Sequence, residues 1–228
     1  MRFGRNEKIA IVGHNGAGKT TLVKLLLRLY DAEGSITYGN IDIKDFSLQK
    51  YRDMFASVMQ DYHIFALTAA ENVLLRKRTD SDTSLISEAL AKSGLMEKVS
   101  LFENGIDSIM TKEFDEKGIQ LSGGEQQKLA ISHVYSKENR FVILDEPSSS
   151  LDPIAEYEMY NRMMNACEHC GMIFISHRLS SAVTADRIYL MEQGSIIETG
   201  SHAELMSRNG KYAEMFMRQA KNYGEVSI

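Results

Sequence analysis

Residues 13–20 read GHNGAGKT and fit the pattern Gly-x-x-x-x-Gly-Lys-[Ser/Thr] at every position. The residue types suit one chemistry. Gly13, Gly16 and Gly18 let the backbone curl until its N–H groups line a cradle for phosphates. Lys19 places a point charge near terminal phosphates, and the Thr20 hydroxyl can ligate magnesium. A second stretch, FVILDEP at 141–147, ends an apolar run in two carboxylates, Asp145 and Glu146. Such a pair at a strand tip is costly unless a cation sits there. Magnesium would satisfy the first, and a water nucleophile would occupy the second. A third stretch, LSGGEQQ at 121–127, sets two adjacent glycines before a helical run. Paired glycines cost backbone entropy, but they bare N–H groups at a helix N-terminus, where an anion can bind. Ser122 and Glu125 form a capping box, which explains the helix start but not Gly123 and Gly124. His177 closes another apolar run; taken alone, it is a polar residue in a loop.

The elements that must position these residues follow from periodicity. Lys8 to Val12 is a buried strand, and Leu22 to Leu29 is a helix, giving the strand–loop–helix order that a phosphate loop requires. Ser35–Tyr38 and Ile41–Ile43 flank Gly39-Asn40, a two-residue loop that suits a type II′ hairpin. Ala56–Met59 is a strand running into Gln60. From Thr68 to about Gly118 the pattern is helical and polar, with SLISEALAKSGL its clearest amphipathic piece, so 68–118 is expected to be a helical subdomain. Phe141–Leu144 and Met172–Ser176 are strands on either side of a helix. That helix starts at Pro153, after Asp152 as N-cap, and runs to about Cys170, with Gly171 as its terminator. Arg187–Met191 and Ser195–Glu198 pair around EQG. SHAE at 201–204 is a capping box, and an amphipathic helix from Lys211 closes the chain.

Composition narrows the function. A net charge of −5 argues against a general nucleic-acid binder. The two cysteines, Cys167 and Cys170, form no disulfide framework and point to a reducing compartment. With His169 between them they offer too few ligands for a tetrahedral zinc site, and read more simply as free thiols near a helix end. No apolar run reaches bilayer-spanning length, and no signal-peptide pattern opens the chain.

GHNGAGKTT, Gln60, LSGGEQQ, FVILDEP, SSLD and His177 occur in the order and approximate spacing of the nucleotide-binding domain of ABC transporters, which nearly the whole chain resembles. HIFALTAAENV, SHRLSS and NGKYAEMF resemble the exporter type. The resemblance implies an α/β fold: a P-loop NTPase (RecA-like) core with a small antiparallel β part over 1–67 and 119–228, and an inserted α-helical subdomain over 68–118. It implies an ATP hydrolase that powers transport through a transmembrane domain or subunit, located in the cytoplasm against the inner face of the membrane, with ATP and Mg2+ as ligands and no nucleic-acid partner. Gly13, His14, Asn15, Gly16, Ala17, Gly18, Lys19, Thr20 and Thr21 would hold the nucleotide. Thr20, Gln60 and Asp145 would serve the metal; Glu146 resembles the general base, and His177 the switch histidine that contacts the terminal phosphate. In a head-to-tail dimer, Ser122, Gly123, Gly124 and Glu125 would cap the phosphate held by the opposite subunit, and Asp152 would lie in the segment that communicates across it.

Two departures from the family pattern shape further expectations. Met1 lies twelve residues before Gly13, leaving no place for the family's adenine-stacking aromatic, so the chain resembles a shortened form or fragment that binds ATP and GTP weakly and alike. His133 lies in ISHVYSK, where family members commonly carry arginine nearby. The alternative reading is a truncated nucleotide-binding module with little or no turnover. An ABC-type ATPase of translation or DNA repair fits less well, because the chain is acidic and has neither a second phosphate loop nor a coiled-coil insertion.

Overall fold

The structure is a computed structural model that describes residues 1–137, 139–147, 153–167 and 169–223. In chain order come β1 (Lys8–Val12), α1 (Lys19–Leu26), β2 (Thr37–Tyr38), β3 (Ile41–Asp42), α2 (Leu48–Arg52), β4 (Phe55–Val58), α3 (Ala69–Leu74), α4 (Thr83–Ser93), α5 (Met96–Ser100) and α6 (Gly123–Tyr135). They continue with β5 (Phe141–Asp145), α7 (Pro153–Ala166), β6 (Gly171–Ile175), α8 (Leu179–Ala182), β7 (Arg187–Glu192), β8 (Ser195–Gly200), α9 (His202–Ser207) and α10 (Lys211–Tyr223).

Six strands form one sheet in the order β4-β5-β6-β1-β7-β8. The first five run parallel, and β8 closes the edge antiparallel to β7. The central strands β5 and β6 are buried along their whole length and β1 from Ile9 onward, which is why their sequences are continuous apolar runs rather than alternations. Successive side chains still go to opposite faces. Ala10, Val12, Val142, Leu144, Met172 and Phe174 join one core cluster. Ile9, Ile11, Ile143, Ile173 and Ile175 join another, with Val23 and Leu26 of α1. A third cluster gathers Ala69, Val73, Ile86, Leu90 and Val99 around Leu129 of α6. Because α6 also gives Ile131 and Val134 to the first cluster, it ties the helical region to the sheet.

Parallel order has one consequence for the site: the carboxyl ends of β1, β4, β5 and β6 share an edge, where ligands of open α/β sheets bind. Gly13, Gln60, Asp145 and His177 are delivered there by four different strands.

Several local expectations are corrected. Gly39 and Asn40 both have positive φ, 59° and 68°, so the β2–β3 loop is type I′ rather than II′. The helix after Pro153 ends at Ala166, and Gly171 opens β6 instead of terminating the helix. A Cβ at Gly171 would lie 2.6 Å from Phe141 Cδ1 and 2.9 Å from the Arg5 carbonyl. Glycine is there for close packing between strands. The 68–118 stretch also carries two isolated bridges, Thr68 with Ile109 and Met110 with Ile119, besides its helices.

Candidate active site

The glycine loop leaves β1 at Gly13, whose φ of 151° suits glycine and whose Cβ, if present, would lie 2.3 Å from the Met191 carbonyl. Gly16 and Gly18 also have positive φ, 79° and 95°, and Gly18 is the N-cap of α1. The first turn of α1 carries no acidic residue, so its free N–H groups and positive dipole end face the loop unopposed. Lys19 lies inside the curl. Its Nζ donates to the carbonyls of Gly13 at 2.9 Å and His14 at 3.2 Å, and stands 3.8 Å from Glu146 Oε1. Asn15, Gly16, Ala17, Gly18, Lys19, Thr20, Thr21, Gln60 and Glu146 enclose a cavity of about 320 Å3.

Asp145 ends β5 fully buried, and neither of its carboxylate oxygens has a hydrogen-bond partner. Burial raises its pKa above the ordinary value of 3.8. The Thr20 hydroxyl favours the charged form without meeting either oxygen at hydrogen-bonding geometry, Glu146 disfavours it, and Lys19 and Lys24 favour it. Thr20, which acts on this carboxylate, lines the cavity together with Gln60, and a carboxylate, a hydroxyl and an amide oxygen are a donor set for a hard cation, so the residues present fit Mg2+.

Glu146 adopts φ 46°, a left-handed conformation that costs a non-glycine residue about 1–3 kcal/mol and tends to persist at functional sites. Its N–H donates to the Ile175 carbonyl at 3.1 Å, which holds the turn against β6. The carboxylate is thereby set between Lys19 and His177, whose Nδ1 lies 3.7 Å from Glu146 Oε2. The His177 side chain is 44% exposed. It faces a larger hollow of about 660 Å3, whose walls include Gly13, His14 and Met215.

Ser122 caps α6: Glu125 N–H donates to Ser122 Oγ at 3.4 Å, and Ser122 N–H donates to Glu125 Oε2 at 2.9 Å. Glu125 also stands 3.3 Å from Lys98. Neither Gly123 nor Gly124 has a positive φ, and a Cβ at either would meet nothing within 4 Å. Within this chain, then, neither backbone conformation nor packing requires those glycines. The four signature residues do not join the cavity at the glycine loop; Gly124 instead borders a separate hollow of about 180 Å3. Asp152 lies outside the described residues.

Sequence reasoning missed the groups that hold the His177 loop. Glu156 of α7 is fully buried and accepts from Ser176 Oγ at 3.1 Å and Ser181 Oγ at 3.0 Å, and Arg178 Nη1 stands 2.8 Å from its other oxygen. That guanidinium pairs by charge without aiming an N–H at the oxygen. From α10, Gln219 reaches the same loop. Arg178 in SHRLSS was a visible cation beside His177, but nothing in the spacing tied it to Glu156 or Gln219.

The ABC transporter family model matches residues 1–149. The chain is 38% identical over 214 residues to an ATP-dependent lipid A-core flippase of Coxiella burnetii, covering 93% of this chain and 36% of the flippase. It is also 38% identical over 223 residues to the subtilin transport ATP-binding protein SpaT of Bacillus subtilis, covering 96% of this chain and 36% of SpaT. A solved structure of a bacterial Atm1-family ABC exporter with ATP bound superposes with a TM-score of 0.86 at 32% identity, covering 96% of this chain and 38% of that one. The fold is thus the α/β P-loop NTPase fold, and the chain spans little more than a third of the length of these relatives.

Proposed function

The chain belongs to the ABC transporter family, and from that premise we propose that it binds ATP with Mg2+, hydrolyses it, and so drives transport through a transmembrane domain or subunit. One observation carries the proposal: Glu146 is held between Lys19 and His177 at the mouth of the glycine-lined cavity. Gly13 through Thr21 take the phosphates on backbone N–H groups, with Lys19 turning from its own loop carbonyls to the terminal phosphates. Thr20, Gln60 and Asp145 hold Mg2+, which when bound offsets phosphate charge. Glu146 accepts a proton from water as the water oxygen bonds to the terminal phosphorus and the bond to the bridging oxygen breaks. His177 contacts the terminal phosphate.

Ser122, Gly123, Gly124 and Glu125 act in trans, on nucleotide bound by a second copy or homologous subunit in a head-to-tail dimer, with Asp152 at the contact between the two. The open space around the two glycines supports this, because a phosphate can approach their first-turn N–H groups closely. The names of the relatives support an export direction. Among the described residues no helix is long and apolar enough to cross a membrane. The bilayer-spanning partner is another domain or subunit and this part works at its cytoplasmic face, a reading supported by the likeness to a flippase and an ABC exporter. We divide the chain into a core of 1–67 and 119–228 and a helical subdomain of 68–118, a division supported by the apolar cluster of α3, α4 and α5, which meets the core through Leu121 and Leu129. No observation favours a module with little turnover.

Steady-state ATPase assays of wild type beside Glu146→Gln, with size-exclusion chromatography in ATP, test the proposal. The amide keeps shape and hydrogen bonding but takes up no proton, so turnover should vanish while ATP binding and an ATP-held dimer persist. Undiminished hydrolysis in the variant would remove Glu146 from the role of base.

A further inference from the structure

The loop bearing His177 leaves β6 at Ile175 and enters α8 at Leu179. A single side chain of α10 grips its backbone. Gln219 Nε2 donates to the His177 carbonyl at 2.7 Å, and the Leu179 N–H donates to Gln219 Oε1 at 2.9 Å. The two bonds use opposite ends of the amide, so they also define which way it faces. Glutamine is suited to this: glutamate would offer only acceptors and set a charge against the His177 carbonyl, and alanine would leave both groups unanswered.

The other anchors of the loop hold different residues. Glu156 of α7 takes the hydroxyls of Ser176 and Ser181 and the charge of Arg178. Ser176 Oγ also accepts the Arg178 N–H at 2.9 Å and donates to the Arg178 carbonyl at 3.1 Å, so the peptide after His177 is held at its N–H by Ser176 and at its carbonyl by Gln219, the one of the two anchors that comes from α10. The imidazole itself is half exposed, and among the described residues its one ion pair is with Glu146, 3.7 Å away. The direction of the ring is therefore inherited from its backbone.

The helix that supplies Gln219 is itself tied to the sheet. Glu198 of β8 accepts the N–H groups of Lys211 at 2.6 Å and Tyr212 at 3.2 Å, Lys211 pairs with Glu192 of β7, and the Tyr212 side chain is fully buried in the core. From that fixed start α10 runs along the hollow that His177 and the glycine loop also border.

We propose that Gln219 is a positioning residue for hydrolysis: its amide sets the backbone of His177, so the seating of α10 is read out at the terminal phosphate. The proposal rests on the reading of His177 given above. A displacement of about 1 Å in a positioned group can cost about a hundredfold in rate. Gln219→Ala and Gln219→Glu should therefore lower kcat about ten- to a hundredfold and leave ATP affinity unchanged, because the glycine loop is not touched. Exposed Met217→Ser on the same helix should keep the wild-type rate.

The test combines steady-state ATPase assays of the full chain carrying Gln219→Ala, Gln219→Glu, Met217→Ser, His177→Ala and the Gln219→Ala/His177→Ala pair with titrations of ATP and amide hydrogen exchange at Leu179. The double variant should be no slower than His177→Ala alone, and exchange at Leu179 should quicken in Gln219→Ala. Wild-type turnover in Gln219→Ala, or a full further loss when it is added to His177→Ala, would overturn the proposal. Wild-type turnover in His177→Ala would instead defeat the reading of His177; the grip on the loop would then stand or fall on Leu179, where unchanged protection in Gln219→Ala overturns it.

Discussion

Replacing Asp145 by Asn should make the ligand-free protein more stable while spoiling its response to Mg2+·ATP. Asp145 is fully buried and both oxygens lack hydrogen-bond partners, so in the absence of metal the fold carries an unanswered charge. Burial is the main cause of its raised pKa; Glu146 adds to the penalty, while Thr20, Lys19 and Lys24 relieve part of it. An unsatisfied buried polar group costs about 1–3 kcal/mol, and a charged one more. Asparagine keeps the shape and removes the charge, so a gain of about 1–3 kcal/mol is expected at neutral pH. For a chain of this size each kcal/mol moves Tm by about 2–4 °C, so the variant should melt several degrees higher in EDTA. The pH dependence follows from the direction of the shift. With its folded-state pKa raised, the folded chain binds the proton more tightly than the unfolded chain does. The cost of the charge is fully present above the raised value and is gone below the ordinary value of 3.8. The gap between variant and wild type should accordingly narrow as pH falls through the carboxylate range. Thermal melts across pH, in EDTA and in Mg2+·ATP, measure all of this. A variant that melts below wild type in EDTA at neutral pH, or a gap that stays constant on acidification, would refute the view of Asp145 as an orphaned charge kept for a cation.

Lys19→Ala removes the charged donor that we propose meets the phosphates; such bonds contribute about 1.5–3 kcal/mol, so calorimetry should show ATP affinity falling by roughly ten- to a hundredfold. Gly124→Ala meets open space and an ordinary helical backbone, so Tm should hold or rise while turnover and ATP-dependent dimerisation fall; a matching loss of Tm would assign that glycine to the fold instead. Gly171→Ala should do the reverse, because its Cβ would overlap the Phe141 ring: a loss of about 1–3 kcal/mol in denaturant titrations, with kcat retained at temperatures where the chain is folded.

Much of the site was legible because each motif states a local requirement. A loop needing positive φ at Gly16 and Gly18 must write glycine there, and a helix opened by a capping box must write Ser122 and Glu125 three apart. Strands buried on both faces must be continuous apolar runs, so β1, β5 and β6 were visible to within a residue or so. The same patterns could not say which strands are neighbours. Only the order β4-β5-β6-β1 brings Glu146 within reach of Lys19 and His177, residues far from it along the chain. The role of Gly171 also escaped local reading, because a glycine beside a helix end looks like a terminator until the Phe141 ring is seen in its place. Gln219 carried no signal at all: an amide on an amphipathic helix looks the same whether it faces water or grips a loop 40 residues earlier. The sequence by itself determined the elements and the chemistry each could supply, since both depend on neighbours along the chain. Tertiary structure alone decided which of those groups meet, since contacts across a sheet are set by strand order and packing, which no local period encodes.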